Sequence, residues 1–292
     1  MPKKKILILG ASGMAGHVIY NYMEHLDKYA LYNLVFHQKI NSKSVILDVH
    51  KTDILEEYIT SVRPDIVINC IGVLIKGSNS DPANAIYINA YFPHLLAKIC
   101  SGINAKLIHI STDCVFSGMK GSYSETDDKD AKDTYGKTKG LGEITDNRNL
   151  TIRTSIIGPE IKENGEGLFH WFMTQEGNVN GYTKAFWSGV TTLELARFIE
   201  YAIGADINNL INLTSSEKIS KYNLLLLFKN IWNRADILIT PVDGKEVDKS
   251  LISSREDVNF IVQKYEDMLQ NMKIHMLKHA DLYPTYFNKE NK

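Results

Sequence analysis

The sequence predicts an α/β fold: a doubly wound parallel sheet followed by a smaller mixed α/β unit. Three observations carry this. Short β-branched runs alternate with longer helical patterns through the first half, the runs are apolar on both faces, and a glycine-spaced turn joins the first run to the first helix. Strands apolar on both faces and separated by helices pair in parallel, with right-handed crossovers.

Residues 5–9 (Lys-Ile-Leu-Ile-Leu) read as a strand buried on both faces, and Met14–Leu26 as the helix after it. Residues 33–36 and 44–47 read as the next two strands. Thr52 carries a capping signature ahead of a helix that ends near Val62, where Arg63-Pro64-Asp65 stops it. Residues 65–70 form a further strand, residues 82–99 one long helix, and Lys106–Ile110 another strand. After Asn149 the pattern loosens. Residues 150–156 read as one more strand, residues 158–167 as a Gly/Asn/Glu-rich loop, residues 192–203 and 221–232 as helices, and residues 209–213 and 237–239 as short strands. There is no internal repeat, and residues 288–292 read as a frayed tail.

Composition narrows the classes. With 292 residues and 44% hydrophobic content, the chain holds one large domain or two intimate ones. A formal net charge of −1 points to no nucleic-acid or membrane-surface partner. Lys3-Lys4-Lys5 runs straight into Ile6 and reads as a solvated strand start rather than a targeting signal. No apolar run approaches the roughly 20 residues of a membrane span. Cys70, Cys100 and Cys114 show no C-x-x-C or ligand spacing, so they read as free thiols in a reducing cytoplasm. No His/Cys/Asp cluster has metal-ligand spacing, and no metal is expected.

Three motifs carry chemistry. The first is Gly10-Ala-Ser-Gly13-Met-Ala-Gly16, between strand and helix. Gly10 suits a tight turn, a pyrophosphate approaches the backbone near Gly13, and Gly16 lets helix and strand pack closely. The helix N-terminus then offers N–H groups to phosphates, which makes this a Rossmann-type dinucleotide site. A structural turn is the alternative. The acidic residue expected after the second strand is missing, and His37-Gln38-Lys39 stands there instead. That favours NADP, with NAD left open and a solvated loop lysine as the plainer reading. Asp48-Val49 suits an adenine contact, although Asp48 equally suits a turn before a helix.

The second motif is Tyr135-Gly-Lys-Thr-Lys139, which puts a phenol and an ammonium on one helical face. A nearby ammonium favours the phenolate and is expected to lower a pKa of about 10 toward the working range. The third is Ser111-Thr112-Asp113-Cys114-Val115-Phe116-Ser117-Gly118, just beyond a strand end, where open parallel sheets bind ligands. Alone, the second reads as a helix-surface pair and the third as a local Ser/Thr/Asp turn. In this order with the glycine turn they point to an oxidoreductase.

Together these motifs resemble the extended short-chain dehydrogenases/reductases, and within them the dTDP-4-dehydrorhamnose reductase group of nucleotide-sugar 4-ketoreductases. The Tyr135 to Glu143 helix (Y-G-K-T-K-x-x-G-E), Arg153-Thr154, and Phe186-Trp187-Ser188-Gly189-Val190-Thr191-Thr192 add to the likeness, which spans residues 5–203. The resemblance implies Thr112, Tyr135 and Lys139 as the catalytic set. It implies Gly10, Gly13 and Gly16 as the cofactor loop, with Asn89 supporting the site; the whole cofactor site expected adds Ser12, Met14, His37, Lys39, Asp48, Val49, Cys70, Ile71 and Gly72, with Tyr135 and Lys139. A helix cap or a buried amide is an equal reading of Asn89. Substrate contacts are expected from Val73, Asp113, Val115, Phe116, Arg153 and Trp187. Phe169, Trp171, Phe172 and Trp187 could stack on a base or sugar, or pack in the core.

The implied organisation is a dinucleotide-binding domain at 1–155, with 189–206 packing back on it, and a substrate domain at 156–292. The implied activity is NAD(P)H-dependent reduction of a 4-keto nucleotide sugar in cell-surface polysaccharide precursor synthesis, in the cytoplasm, with a homodimer left open. Two rivals stand beside it: a 4-epimerase with tightly held NAD, and a non-catalytic NADP-binding regulatory subunit like that of methionine adenosyltransferase. Two departures bear on the sugar: Asn69-Cys70-Ile71-Gly72-Val73 replaces the group's Asn-Ala-Ala stretch, and the C-terminal third lacks its tail. Cys114 stands where 4,6-dehydratases place an acid, which argues against a dehydratase.

Overall fold

A computed structural model describes residues 2–244 and 246–287. The tail expected at 288–292 lies outside the described residues. The first half runs β1 (Lys4–Leu9), α1 (Met14–Leu26), β2 (Tyr29–Val35), β3 (Ser44–Ile46), α2 (Thr52–Val62), β4 (Ile66–Asn69), α3 (Ile75–Ser80) and α4 (Pro82–Ala85). A π-helical turn (Ile86–Tyr91), α5 (Phe92–Gly102), β5 (Lys106–Ile110), α6 (Thr134–Leu141) and β6 (Leu150–Arg153) follow. The second half runs β7 (Ile156–Ile157), α7 (Leu168–Thr174), β8 (Gly177–Tyr182), β9 (Ala185–Trp187), β10 (Val190–Thr191), α8 (Thr192–Gly204), β11 (Asn209–Asn212) and β12 (Ile219–Ser220). It ends with α9 (Lys221–Ile231), β13 (Ile237–Val242), β14 (Val247–Asp248), α10 (Tyr265–Lys278) and α11 (Pro284–Phe287).

The central sheet has seven strands in the order β11-β6-β5-β4-β1-β2-β3, every pair parallel. The fold is α/β and Rossmann-like. The two faces of β1 show why its run is apolar throughout. Ile6 and Ile8 enter the core under α1 and α8, whereas Leu7 and Leu9 enter the opposite core with Leu55, Ile59, Phe92 and Leu96. Strand β11, which the sequence places with the smaller unit, extends this sheet beside β6, and α8 packs along α1. The rest of the second half forms two- and three-stranded sheets around α7, α9 and α10.

Several expected boundaries move, each for a physical reason. The strand expected at 33–36 begins at Tyr29, because residues 29–34 pair with β1, and Phe36 beyond it is exposed. Thr52 is the first residue inside α2 and makes no capping bond; the cap position is Lys51. The helix expected at 82–99 starts on Asp81, whose side chain accepts from the Asn84 N–H, and widens into the π turn at Asn89. A separate helix, α3, precedes it. The strand expected at 150–156 stops at Arg153. Beyond that point the chain peels away, and Ser155 offers its carbonyl to the N–H of Val190 so that β7 pairs with β10.

The β1–α1 turn sets the position of everything above it. Gly10 has φ +76°, a conformation that L side chains rarely adopt. A Cβ at Gly16 would fall on the carbonyl oxygen of Gly10. The helix can therefore start this close to the strand only with glycine at both places. We predict that Gly16→Ala costs roughly 1–3 kcal/mol of stability, as overpacking does, measured by urea unfolding. A change under about 0.5 kcal/mol, the scale of a surface substitution, would contradict the packing.

Candidate active site

A cleft of about 670 Å³ opens beyond the carboxyl ends of β1, β4 and β5. Its first wall is the glycine turn, Ser12 to Ala15. Gly13 caps α1 through its backbone alone, and among the described residues no side chain bonds the first N–H groups of this 13-residue helix. An uncapped helix start at a cleft floor suits an anion. Cys70, Ile71 and Gly72, after β4, form the adjoining floor.

The second wall comes from the β5 end and α6. Thr112 ends the extended backbone after β5, and its hydroxyl accepts from the Cys114 N–H at 3.1 Å and donates to Asp113 at 3.2 Å. This is the local turn that Ser/Thr/Asp runs form, and it holds Thr112 and Asp113 at the cleft. Helix α6 starts on Asp133, whose carboxylate accepts from the Gly136 N–H at 2.9 Å. A Cβ at Gly136 would meet the Cys114 carbonyl, so α6 lies directly on the Asp113–Val115 turn. That close approach brings Tyr135 and Lys139 to the wall that carries Thr112.

The electrostatics differ from the sequence expectation. Burial drives the Tyr135 phenol above its ordinary value, helped by Cys114 and Asp113, while the Thr112 hydroxyl pulls the other way. Burial of the phenol, not Lys139, sets the direction. The ammonium is buried and donates to the Ile110 carbonyl at 2.7 Å, and burial brings its pKa down to about 8 against the pull of Glu143 and Cys70. The site as it stands holds a protonated phenol. Cys70 and Cys114 are pushed by burial to about 12 and stay thiols. Asp113 is also raised by burial, with Lys249 opposing.

Behind the wall lies a buried ion pair. Arg153 donates to both carboxylate oxygens of Glu143, at 2.9 and 2.8 Å, and Ser111 donates to the same carboxylate at 2.7 Å. Burial alone would raise Glu143, but Arg153, Ser111 and Lys129 outweigh it and keep the carboxyl below its usual range. Arg153 is thus fully committed, with its guanidinium also over the Phe116 ring at 4.9 Å.

Four of the expected substrate contacts lie outside the cleft. Arg153 is held by Glu143, Val115 and Phe116 are buried with Tyr123 and Leu251, and Trp187 packs against Tyr265. None of the four lines the cleft, because each side chain is consumed by the core. Val73 is half-buried and packs against the core opposite α1. Asp113 does line the cleft. Of the aromatic candidates, Phe169 and Phe172 are buried beside Phe228, and Trp171 is the partly exposed one.

Asn89 sits one layer back. Its amide oxygen accepts from the Val73 N–H and its nitrogen donates to the Val73 carbonyl, both at 2.9 Å, so it clamps the chain just past Gly72. It is a buried amide in mid-helix, not a cap. His37 and Lys39 are exposed beyond the end of β2. Asp48 bonds the ring and backbone of His50, the turn that leads into α2. Sequence reasoning missed the third wall, Glu160 to Gly167 with Thr154 and Ser155. Its signal was present in the polar, glycine-rich 158–167 loop after the last strand of the first half.

A family model described as "RmlD substrate binding domain" matches residues 4–251. A dTDP-4-dehydrorhamnose reductase of Mycolicibacterium smegmatis is 32% identical over 143 residues, 48% of this chain and 40% of that one. Across the first curated relatives of that name the matched part is about half of their length or less. The methionine adenosyltransferase 2 subunit beta of Rattus norvegicus is 23% identical over 85% of this chain and 78% of its own. A crystal structure of dTDP-4-dehydrorhamnose reductase from Bacillus anthracis in complex with NADP superposes with a TM-score of 0.79, covering 94% of this chain and 99% of that one at 19% identity.

Breaking the ion pair should be costly. Glu143→Gln leaves a buried guanidinium uncompensated, and we expect a loss of roughly 3–5 kcal/mol in urea unfolding.

Proposed function

The chain belongs to the RmlD substrate-binding-domain family, and from that premise we propose that it is an NADPH-dependent reductase of a 4-keto nucleotide sugar. The observation that carries the reading is the convergence of Thr112, Tyr135 and Lys139 on one wall of a cleft whose other wall is an uncapped helix N-terminus behind a glycine turn. The glycine turn and the first N–H groups of α1 fit the diphosphate of a dinucleotide, with Cys70, Ile71 and Gly72 as floor. His37 and Lys39, with no carboxylate beside them, suit the 2′-phosphate of NADP, and the Bacillus anthracis enzyme was crystallised with NADP. NAD is the alternative cofactor.

The reduced nicotinamide, when bound, supplies the hydride. Tyr135 holds the proton that the sugar C4 oxygen takes up, and its raised pKa keeps that proton in place at neutral pH, as the reductive direction requires. Thr112 polarises the same oxygen by hydrogen bonding. Lys139 orients the cofactor ribose and, as an ammonium, favours the phenolate once the proton has left. Asp113 and the Glu160–Gly167 loop face the sugar nucleotide. The sugar is dTDP-4-dehydrorhamnose-like or a UDP-4-keto-6-deoxy-N-acetylhexosamine, and the setting is polysaccharide precursor synthesis. Among the described residues no helix is long and apolar enough to cross a membrane.

The test is loss of reduced-nicotinamide absorbance with the two 4-keto nucleotide sugars, NADPH against NADH. Wild type should turn over, and Tyr135→Phe should lose on the order of 100- to 10,000-fold in kcat. A second prediction follows from Lys139: kcat/KM for cofactor should fall as pH rises through about 8, where the free enzyme's ammonium loses its charge. A flat profile to pH 9 would remove Lys139 from that role. A second reading, a non-catalytic regulatory subunit, is favoured by the length of the match to methionine adenosyltransferase 2 subunit beta. NADPH binding without turnover of either sugar would select it.

A further inference from the structure

The described chain ends in a short segment that holds two tyrosines three residues apart, Tyr283 and Tyr286. Both are buried, with ring centroids 6.2 Å apart. Neither lines the cleft, yet each hydroxyl reaches a different wall of it.

The Tyr283 hydroxyl lies 2.8 Å from His17 Nε2, and His17 Nδ1 lies 2.7 Å from the Gly13 carbonyl oxygen. A carbonyl only accepts, so Nδ1 carries the proton and Nε2 must accept from Tyr283. Burial of His17, which outweighs the Gly13 bond and brings its pKa down to about 4, keeps that neutral tautomer at neutral pH. The bonds run in one direction, from Tyr283 through His17 to Gly13. The Gly13 carbonyl also accepts the His17 backbone N–H at 3.2 Å, so the ring reinforces a first-turn helix bond. Gly13 shares a rigid trans peptide with Met14, and with that carbonyl held toward His17 the Met14 N–H points the opposite way, out of the helix start beside the cleft.

The Tyr286 hydroxyl accepts from the Glu160 N–H at 3.0 Å and sits 2.8 Å from His170 Nδ1. The Glu160 carboxylate in turn accepts from the Gly167 N–H at 2.7 Å, closing the loop on itself. The two walls meet where Gly167 faces Met14; a Cβ on Gly167 would stand 3.2 Å from the Met14 sulfur.

We propose that Tyr283 and Tyr286 are positioning residues through which the C-terminal segment sets both walls of the cleft from outside: Tyr283 orients the glycine turn through His17, and Tyr286 holds the Glu160–Gly167 loop. That these walls bind a dinucleotide and a sugar nucleotide rests on the reading above; the hydrogen-bonded couplings are properties of the chain itself.

The experiment uses the full chain with Tyr283→Phe and Tyr286→Phe, each of which removes one hydroxyl and keeps the ring in the core. Amide hydrogen exchange and NADPH fluorescence titration are the readouts. In Tyr283→Phe, exchange should rise at residues 10–17 and not at 160–167, and the NADPH Kd should rise several-fold. In Tyr286→Phe, exchange should rise at 160–167 with the NADPH Kd within twofold of wild type. His17→Leu should weaken NADPH binding at least as much as Tyr283→Phe, whereas His17→Asn, whose amide nitrogen stands where the ring Nδ1 stood, should recover part of it. Adding Tyr283→Phe to His17→Leu should cost nothing more, since both act through one chain of bonds.

A rise in exchange spread evenly over the core, or equal effects of the two tyrosines on both walls, would overturn the proposal. So would tight NADPH binding in Tyr283→Phe. If wild type bound no dinucleotide at all, the functional reading would fall while the exchange pattern still decided the coupling.

Discussion

The architecture of the site depends on one backbone contact, the first turn of α1 lying on the carbonyl of Gly10 with no Cβ between them. Because the helix begins this close to the end of β1, its unsatisfied N–H groups face the cleft rather than bulk water. The same proximity fixes the depth of α1 in the sheet and so the line along which α8 packs against it. His17, one turn into the helix, is buried as a consequence and finds its partners in Gly13 and Tyr283.

The opposite wall obeys the same kind of constraint by another route. Helix α6 is only eight residues long, and its amphipathic pattern is too weak to place it. It is held by the Asp133 cap, by the backbone contact at Gly136, and by Lys139 reaching the Ile110 carbonyl. Low local dielectric makes each polar group here matter more than at a surface. It raises Tyr135, lowers Lys139, and makes the paired Glu143 and Arg153 a rigid support for Ser111 beside Thr112. The expected simple coupling, with Lys139 depressing Tyr135, is outweighed by burial of the phenol itself.

Much of the candidate site was legible in the chain because the motifs are local. Gly10 to Gly16, Thr112 and the Tyr135/Lys139 pair each require particular residue types within a few positions, and local geometry follows from local sequence. The expected contacts that fall outside the cleft share a cause. Val115, Phe116, Arg153 and Trp187 lie near site residues along the chain, but nearness in sequence says nothing about which face a side chain takes after a turn. Phe116 and Arg153 point away from the cleft into a cluster with Tyr123. The loop at 158–167 read as a connection because its partners Met14 and Tyr286 lie far from it in the chain.

By itself the sequence determined the parallel α/β layering, since runs apolar on both faces have no other way to be buried. It also determined the glycine turn and the Thr112, Tyr135 and Lys139 side chains of the candidate site, since those demands are met within one or two turns of chain. Only the tertiary structure decided the protonation of Tyr135 and Lys139, the use of Arg153 as a support, the third wall of the cleft, and the reach of Tyr283 and Tyr286 to both walls. Burial and long-range hydrogen bonding exist only once distant segments meet, and no window of sequence contains them.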